Sequence, residues 1–196
     1  MKLIAYGDSI TRGYGVGERE GWAALLPSLL DIEVVNAGGN GNTSSEGLAR
    51  FNADVLPHLP AAVMVEFGGN DAVEGHRHVD PLSFERNIQE IHRRIVARGG
   101  TTILSTFPPI IDEKHCFGKS AFHMNWGGLD KCVERYRMGI RKLAKNLNIP
   151  LFNMDELLRP ELASGQELLL ADGIHLSAKG NILVAKALAG FLKKHL

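Results

Sequence analysis

A serine hydroxyl becomes a useful nucleophile only when a neighbouring imidazole takes its proton, and the imidazole needs a carboxylate to fix its tautomer and steady the imidazolium that forms. The 196-residue chain offers these groups in two short segments. Tyr6-Gly7-Asp8-Ser9-Ile10-Thr11 presents Ser9 directly after an apolar run, and Asp172-Gly173-Ile174-His175 can aim a carboxylate and an imidazole into one site from a single loop. Taken alone, each segment also has a structural reading. Gly-Asp-Ser is a common turn, and Asp172 and Ser177 could serve as turn and cap residues beside a half-buried His175. Two further segments supply donors for the negative oxygen of a tetrahedral intermediate: the glycine-rich stretch from Asn36 to Ser44, which contains Gly41, and Gly68-Gly69-Asn70-Asp71. Backbone N–H groups in such a turn, or an asparagine amide, stabilise an oxyanion. The fingerprints of phosphate-binding and dinucleotide-binding loops are absent from the first stretch, which argues against a nucleotide site. The joint occurrence of Ser, Gly, Asn and Asp-x-x-His, in that order, carries the catalytic reading.

Such residues must be positioned by a scaffold, and short apolar runs recur along the chain with helical stretches between them. That alternation predicts a parallel sheet covered on both faces. The expected strands are 2–6, 33–36, 62–67, 101–106 and 151–153, so that Ser9, the Asn36–Ser44 stretch and Asn70 all follow strand ends, where sheets of this type open their ligand crevice. Helices are expected over 22–30, after the capping box Thr43-Ser44-Ser45-Glu46, over 81–98 with Leu82, Phe84, Ile88, Ile91 and Ile95 at helical spacing, over 130–147, and from a Ser177 cap to 196. These apolar stripes are read as core-facing. Segment 108–128 fits no element and is long for a connection within one domain. Its Phe117, Phe122, Met124 and Trp126 either line an acyl or leaving-group pocket or anchor the loop to the body, and the loop itself could close over the crevice.

Composition narrows the function classes. Length and a hydrophobic content of 44% suit one domain spanning 1–196 with one core. Lys plus Arg equals Asp plus Glu at 22 each, which leaves no global field to hold a nucleic acid or an anionic membrane. No apolar window is long enough for a transmembrane span and no secretory signal is evident, so a cytoplasmic location is expected. Cys116 and Cys132 fit no zinc template and are expected as free thiols. His76 and His78 lack a third ligand and are read as solvent-facing loop residues, so no metal is expected. Trp22 is read as core packing near the mouth of the site.

The combination resembles the SGNH (GDSL-type) hydrolase family over nearly the whole chain. Gly7-Asp8-Ser9-Ile10-Thr11 looks like its first block, Gly41 matches the glycine of its second, Asn70 the asparagine of its third, and Asp172 with His175 its last. The first block continues in Ile-Thr where the family's older name has Leu, a variation that leaves the four functional residue types intact. The resemblance implies a flavodoxin-like three-layer α/β/α sandwich with a central parallel five-stranded sheet. It implies hydrolysis of small-molecule carboxylic esters or thioesters, O-acetyl groups among them, without a metal or organic cofactor. It implies a triad of Ser9, Asp172 and His175, with an oxyanion hole made by the Ser9 N–H, the Gly41 N–H and the Asn70 side chain. Acyl transfer through the same acyl-enzyme, and a non-catalytic binding protein on the same fold, stand as alternatives. Oligomeric state and natural substrate are left open.

Overall fold

The computed structural model describes residues 2–195. Strands β1 (Lys2–Gly7), β2 (Glu33–Gly38), β3 (Ala62–Glu66), β4 (Thr101–Ser105) and β5 (Leu151–Phe152) form one parallel sheet in the order β2-β1-β3-β4-β5. The central strands are apolar on both faces: Leu3 to Tyr6 and Val63 to Val65 are fully buried. That is the demand helices on both sides make of a parallel sheet. After β2 the chain returns past β1 to lay β3 on its other side, so the order of strands reverses between β1 and β3. At such a reversal the connecting loops diverge and leave a crevice at the carboxyl ends of the strands. The segments carrying Ser9 and Asn70 leave from these two strands.

Helices α1 (Ser9–Arg12), α2 (Trp22–Leu29), α3 (Ser44–Asp54), α4 (Pro81–Val96), α5 (Ala121–Met124), α6 (Leu129–Leu147), α7 (Met154–Ala163) and α8 (Ala178–His195) surround the sheet. Helices α2 and α8 pack together in one layer, while α3, α4 and α6 follow one another in the other. Their starts have local causes. Thr43 and Glu46 form the expected capping box of α3. Asp80 accepts from Leu82 and Ser83 N–H at 3.0 and 3.1 Å, with Pro81 in the first turn of α4, where a missing N–H costs nothing. Ser177 Oγ accepts from Gly180 N–H at 3.2 Å and so caps α8. Helix α4 stops at Val96 rather than 98, because Gly100 N–H turns back to the Ile95 carbonyl at 3.1 Å and closes the last turn. Leu82 of the expected stripe in α4, and Ile182 in α8, face outward.

Helix α7 was not expected. It is short and carries Pro160 in its interior, and it is held from outside its own sequence: buried Asp155 accepts from Thr106 Oγ1 at 2.7 Å and pairs with Arg141 at 2.5 Å. Segment 108–128 is irregular apart from the single turn of α5. Its ends are tied down by buried Arg137, which donates to the Phe107 carbonyl at 2.9 Å and the Pro108 carbonyl at 2.5 Å and pairs with Asp130 at 2.7 Å. Cys132 is buried in α6 and Cys116 exposed, and both are free thiols. No helix among the described residues is long and apolar enough to cross a membrane.

Candidate active site

Ser9 is the first residue of the single turn α1, so its backbone N–H has no partner within the turn. The turn begins where Asp8 Oδ1 accepts the Ile10 N–H at 2.9 Å, and fully buried Trp22 props it by donating Nε1–H to the Ile10 carbonyl at 3.1 Å. Gly7 must be glycine, since a Cβ there would collide with Thr11 Oγ1 and the Glu66 carbonyl. Trp22 is thus core, as expected, and also the prop of the Ser9 turn.

The second half of the site is a closed loop. Asp172 Oδ1 accepts the Ile174 and His175 N–H groups at 3.0 and 3.1 Å, which frees Oδ2 to take His175 Nδ1 at 2.7 Å. Leu170 N–H donates to the His175 carbonyl at 2.7 Å, and Ile111 N–H to the Gly173 carbonyl at 2.8 Å, anchoring the loop to the segment after β4. His175 Nε2 then lies 2.9 Å from Ser9 Oγ, although the two residues are 166 positions apart. The Tyr14 ring packs against the imidazole at 4.5 Å between centroids. Burial alone would raise the Asp172 carboxyl, but the hydrogen bonds from His175 and the two backbone N–H groups outweigh it and hold it below the ordinary aspartate range.

On the other side of Ser9, Asn42 N–H closes a turn onto the Gly39 carbonyl at 3.1 Å, with Gly41 at φ +70°, a conformation in which a side chain would be strained. Asn70 Nδ2 donates to Asp8 Oδ2 at 3.0 Å and to the Asn42 carbonyl at 3.1 Å, so both amide hydrogens are engaged in the free protein. Ser9, Gly41, Asn70 and His175 line one crevice of about 260 Å³, together with apolar Val73, Phe107, Phe117 and Ile174 and polar His76, Arg77 and His115. Arg77 reaches the Gly41 carbonyl at 2.6 Å and pairs with Glu46.

Of the four loop side chains read as either pocket lining or loop anchors, Phe117 lines this crevice. Phe122 packs against His78 and His123, Met124 is exposed, and Trp126 is held at the surface under the Arg135 guanidinium, 4.3 Å from its centroid. These three are not among the crevice's lining residues. His76 is exposed, as expected, yet stands at the crevice rim. Tyr14, Arg77 and Phe107 escaped the sequence reading because no motif marks them; they reach the site through the folding of loops, while Ile174 and His115 lie in segments singled out there without a role of their own.

Beneath the crevice lie three buried carboxyls, Asp8, Glu66 and Asp71. Burial pushes Asp8 up to about 7 against the Ile10 N–H, with the Asp71 charge adding to the rise. Burial, then the Asp8 charge, carry Glu66 well above the carboxylate range. Asp71 is raised by burial to about 6, although Ser44 donates to it through both N–H and Oγ.

Residues 5–182 match the family model described as the GDSL-like lipase/acylhydrolase family. The chain is 31% identical over 178 residues to the thioesterase 1/protease 1/lysophospholipase L1 of Escherichia coli K12, an alignment covering 88% of this chain and 74% of that protein. It is 36% identical over 107 residues to esterase TesA of Pseudomonas aeruginosa, covering 52% of each chain, and so spans about half the length of that relative. The lipase/acylhydrolase from Enterococcus faecalis superposes with a TM-score of 0.81 at 24% identity, covering 100% of this chain and 96% of that one, a likeness of fold.

Proposed function

The chain belongs to the GDSL-like lipase/acylhydrolase family and is a hydrolase of ester bonds, and we propose that it cleaves small carboxylic esters or thioesters through an acyl-enzyme on Ser9. The observation that carries the reading is the unbroken relay of Asp172 Oδ2, His175 and Ser9 Oγ at 2.7 and 2.9 Å. In the first step His175 Nε2 takes the Ser9 proton as the hydroxyl oxygen attacks the acyl carbon. The imidazolium that results is steadied by Asp172, whose lowered proton affinity keeps it an anion. His175 passes the proton to the departing alcohol or thiol. Its side chain is 18% exposed and that of Asp172 39%, so water can reach the imidazole and repeat the sequence to release the acid.

The oxyanion is held by the N–H groups of Ser9 and Gly41 and by the Asn70 amide. Because both Asn70 hydrogens are already bonded, the oxyanion competes with the Asn42 carbonyl, a neutral acceptor, more readily than with the Asp8 carboxyl. The acyl group lies against Val73, Phe107, Phe117 and Ile174. Residues 1–196 act as one catalytic domain.

The test is hydrolysis of p-nitrophenyl esters from acetate to palmitate by the wild-type protein and by Ser9→Ala. Turnover is expected to fall by at least about 10³-fold in the variant with the fold retained, and the chain-length optimum reports how much acyl chain the crevice takes. Unchanged turnover in purified Ser9→Ala would rule the mechanism out.

A further inference from the structure

Strands β1 and β3 are neighbours, and their ends bring Asp8 and Glu66 together under the Ser9 turn, with Gly7 opposite Glu66 in the register. Both side chains are fully buried and within hydrogen-bonding reach of each other. Their four oxygens have unequal partners. Asp8 Oδ1 takes the Ile10 N–H at 2.9 Å and Oδ2 the Asn70 Nδ2 at 3.0 Å, while Glu66 Oε2 takes the Thr11 hydroxyl at 2.9 Å. Glu66 Oε1 is buried with no partner. An unpaired buried carboxylate oxygen is costly, and two touching carboxylates cannot both stay ionised. A proton on Glu66 answers both difficulties, because it removes the charge from a carboxyl with an orphan oxygen and makes that carboxyl a donor toward Asp8.

We propose that Glu66 is a positioning residue: it keeps its proton in the resting protein, donates it to Asp8, and makes the pair a singly charged brace that holds the Asn70 amide at the oxyanion site. No hydrogen bond joins Glu66 to Asp172, His175 or Ser9; its effect passes through Asp8 to Asn70. With both groups ionised, two negative charges would stand behind the oxyanion donor and oppose the charge developing in front of it. With the proton retained there is one. The other groups facing the pair do not supply the missing donor. Thr11 serves Oε2, the Asp71 carboxyl is turned to Ser44 and adds negative charge, and the Arg50 guanidinium from α3 gives Nη1 and Nη2 to the Ala37 and Gly7 carbonyls and Asp54 and makes no bond to Glu66, its Nε having no partner.

The role rests on the ester-hydrolase reading, whereas the proton itself is measurable without turnover. At about pH 8, above the value to which Asp71 is raised, infrared spectra of the wild-type protein are expected to contain the C=O band of a protonated carboxyl. Labelling the glutamates with heavy carbon should shift that band, labelling the aspartates should leave it, and Glu66→Gln should remove it. A missing band, or one that follows aspartate, overturns the assignment of the proton even if no ester is ever turned over. The kinetic arm compares Glu66→Gln, whose amide can donate as the neutral acid does, with Glu66→Leu, which cannot. Glu66→Gln should hold kcat within about threefold, and Glu66→Leu should lose about tenfold or more in kcat with KM nearly unchanged. In an Asn70→Ala background Glu66→Leu should cost nothing further, because the amide it braces is gone. Equal losses in the Gln and Leu variants, or a full additional loss in the Asn70→Ala background, overturn the brace; should Glu66→Leu fail to fold, activity retained in Glu66→Gln together with the infrared band supports it, and activity lost in Glu66→Gln overturns it.

Discussion

Two sets of carboxyls flank Ser9, and they are tuned in opposite directions. Asp172 stands in a half-open loop with His175 and two backbone N–H groups donating to it, and it is held below the ordinary aspartate range. Asp8 and Glu66 lie fully buried on the other side, share few donors, and are raised. In the proposed mechanism the same functional group is therefore a fixed anion where a positive charge must form and a proton holder where a negative charge must form. Donors outweigh the effect of burial at half-open Asp172 and do not at fully buried Asp8, Glu66 and Asp71, the last in spite of the two groups Ser44 donates to it.

That contrast can be broken first on the relay side. Asp172→Asn should retain the backbone bonds of the loop but offer His175 an amide that favours the wrong tautomer, and kcat should fall about 10³- to 10⁴-fold with little change in KM. Steady-state kinetics on a soluble ester checks this, and a loss of less than about tenfold would mean that Asp172 is not the partner His175 depends on. On the other side the effect is smaller. Asn70→Ala removes one of the three proposed oxyanion donors and should cost about 10²-fold in kcat. A variant that changes KM alone would place Asn70 in ground-state binding instead.

The smallest effect sharpens the comparison without any substrate. Asp172, with its lowered value, contributes stability present above the ordinary carboxylate range and lost as pH falls through that lowered value. Asp8 and Asp71, with raised values, contribute stability that is full below the ordinary aspartate value of 3.8 and lost as pH rises through about 7 and about 6. In that window the folded state binds more protons than the unfolded chain, so these groups pull stability down with rising pH, by at most about 1.4 kcal/mol per pH unit for each carboxyl. Denaturant unfolding at a series of pH values reads the slope. Asp71→Asn, which can still accept from Ser44, should flatten it between 3.8 and about 6; an unchanged slope would show that Asp71 is not held protonated by its burial.

Much of this was legible before the fold. The apolar runs of the strands, the Thr43–Glu46 box, the Ser177 cap and the turn at Asp172 all rest on hydrogen bonds and burial patterns a few residues long, and such patterns are written into neighbouring residue types. Helix α7 was missed because Asp155, Thr106 and Arg141 hold it across the structure. The loop aromatics could not be divided by inspection either. Phe117 and Trp126 have similar chemistry, and what sends one into the crevice and the other under Arg135 is the path of a chain whose ends are tied to Arg137.

The residue types able to do the chemistry, and the alternation that makes a parallel sheet, were determined by the chain alone, because each depends on local spacing. The meeting of Ser9 with His175, the pairing of Asp8 with Glu66 and the capture of Asn70 were decided when strand order placed β1 beside β3 and packing drew the last loop over their ends. Whether a carboxyl keeps its proton belongs to that second class, since it depends on the water and donors around it, and both are set by neighbours that are remote in sequence.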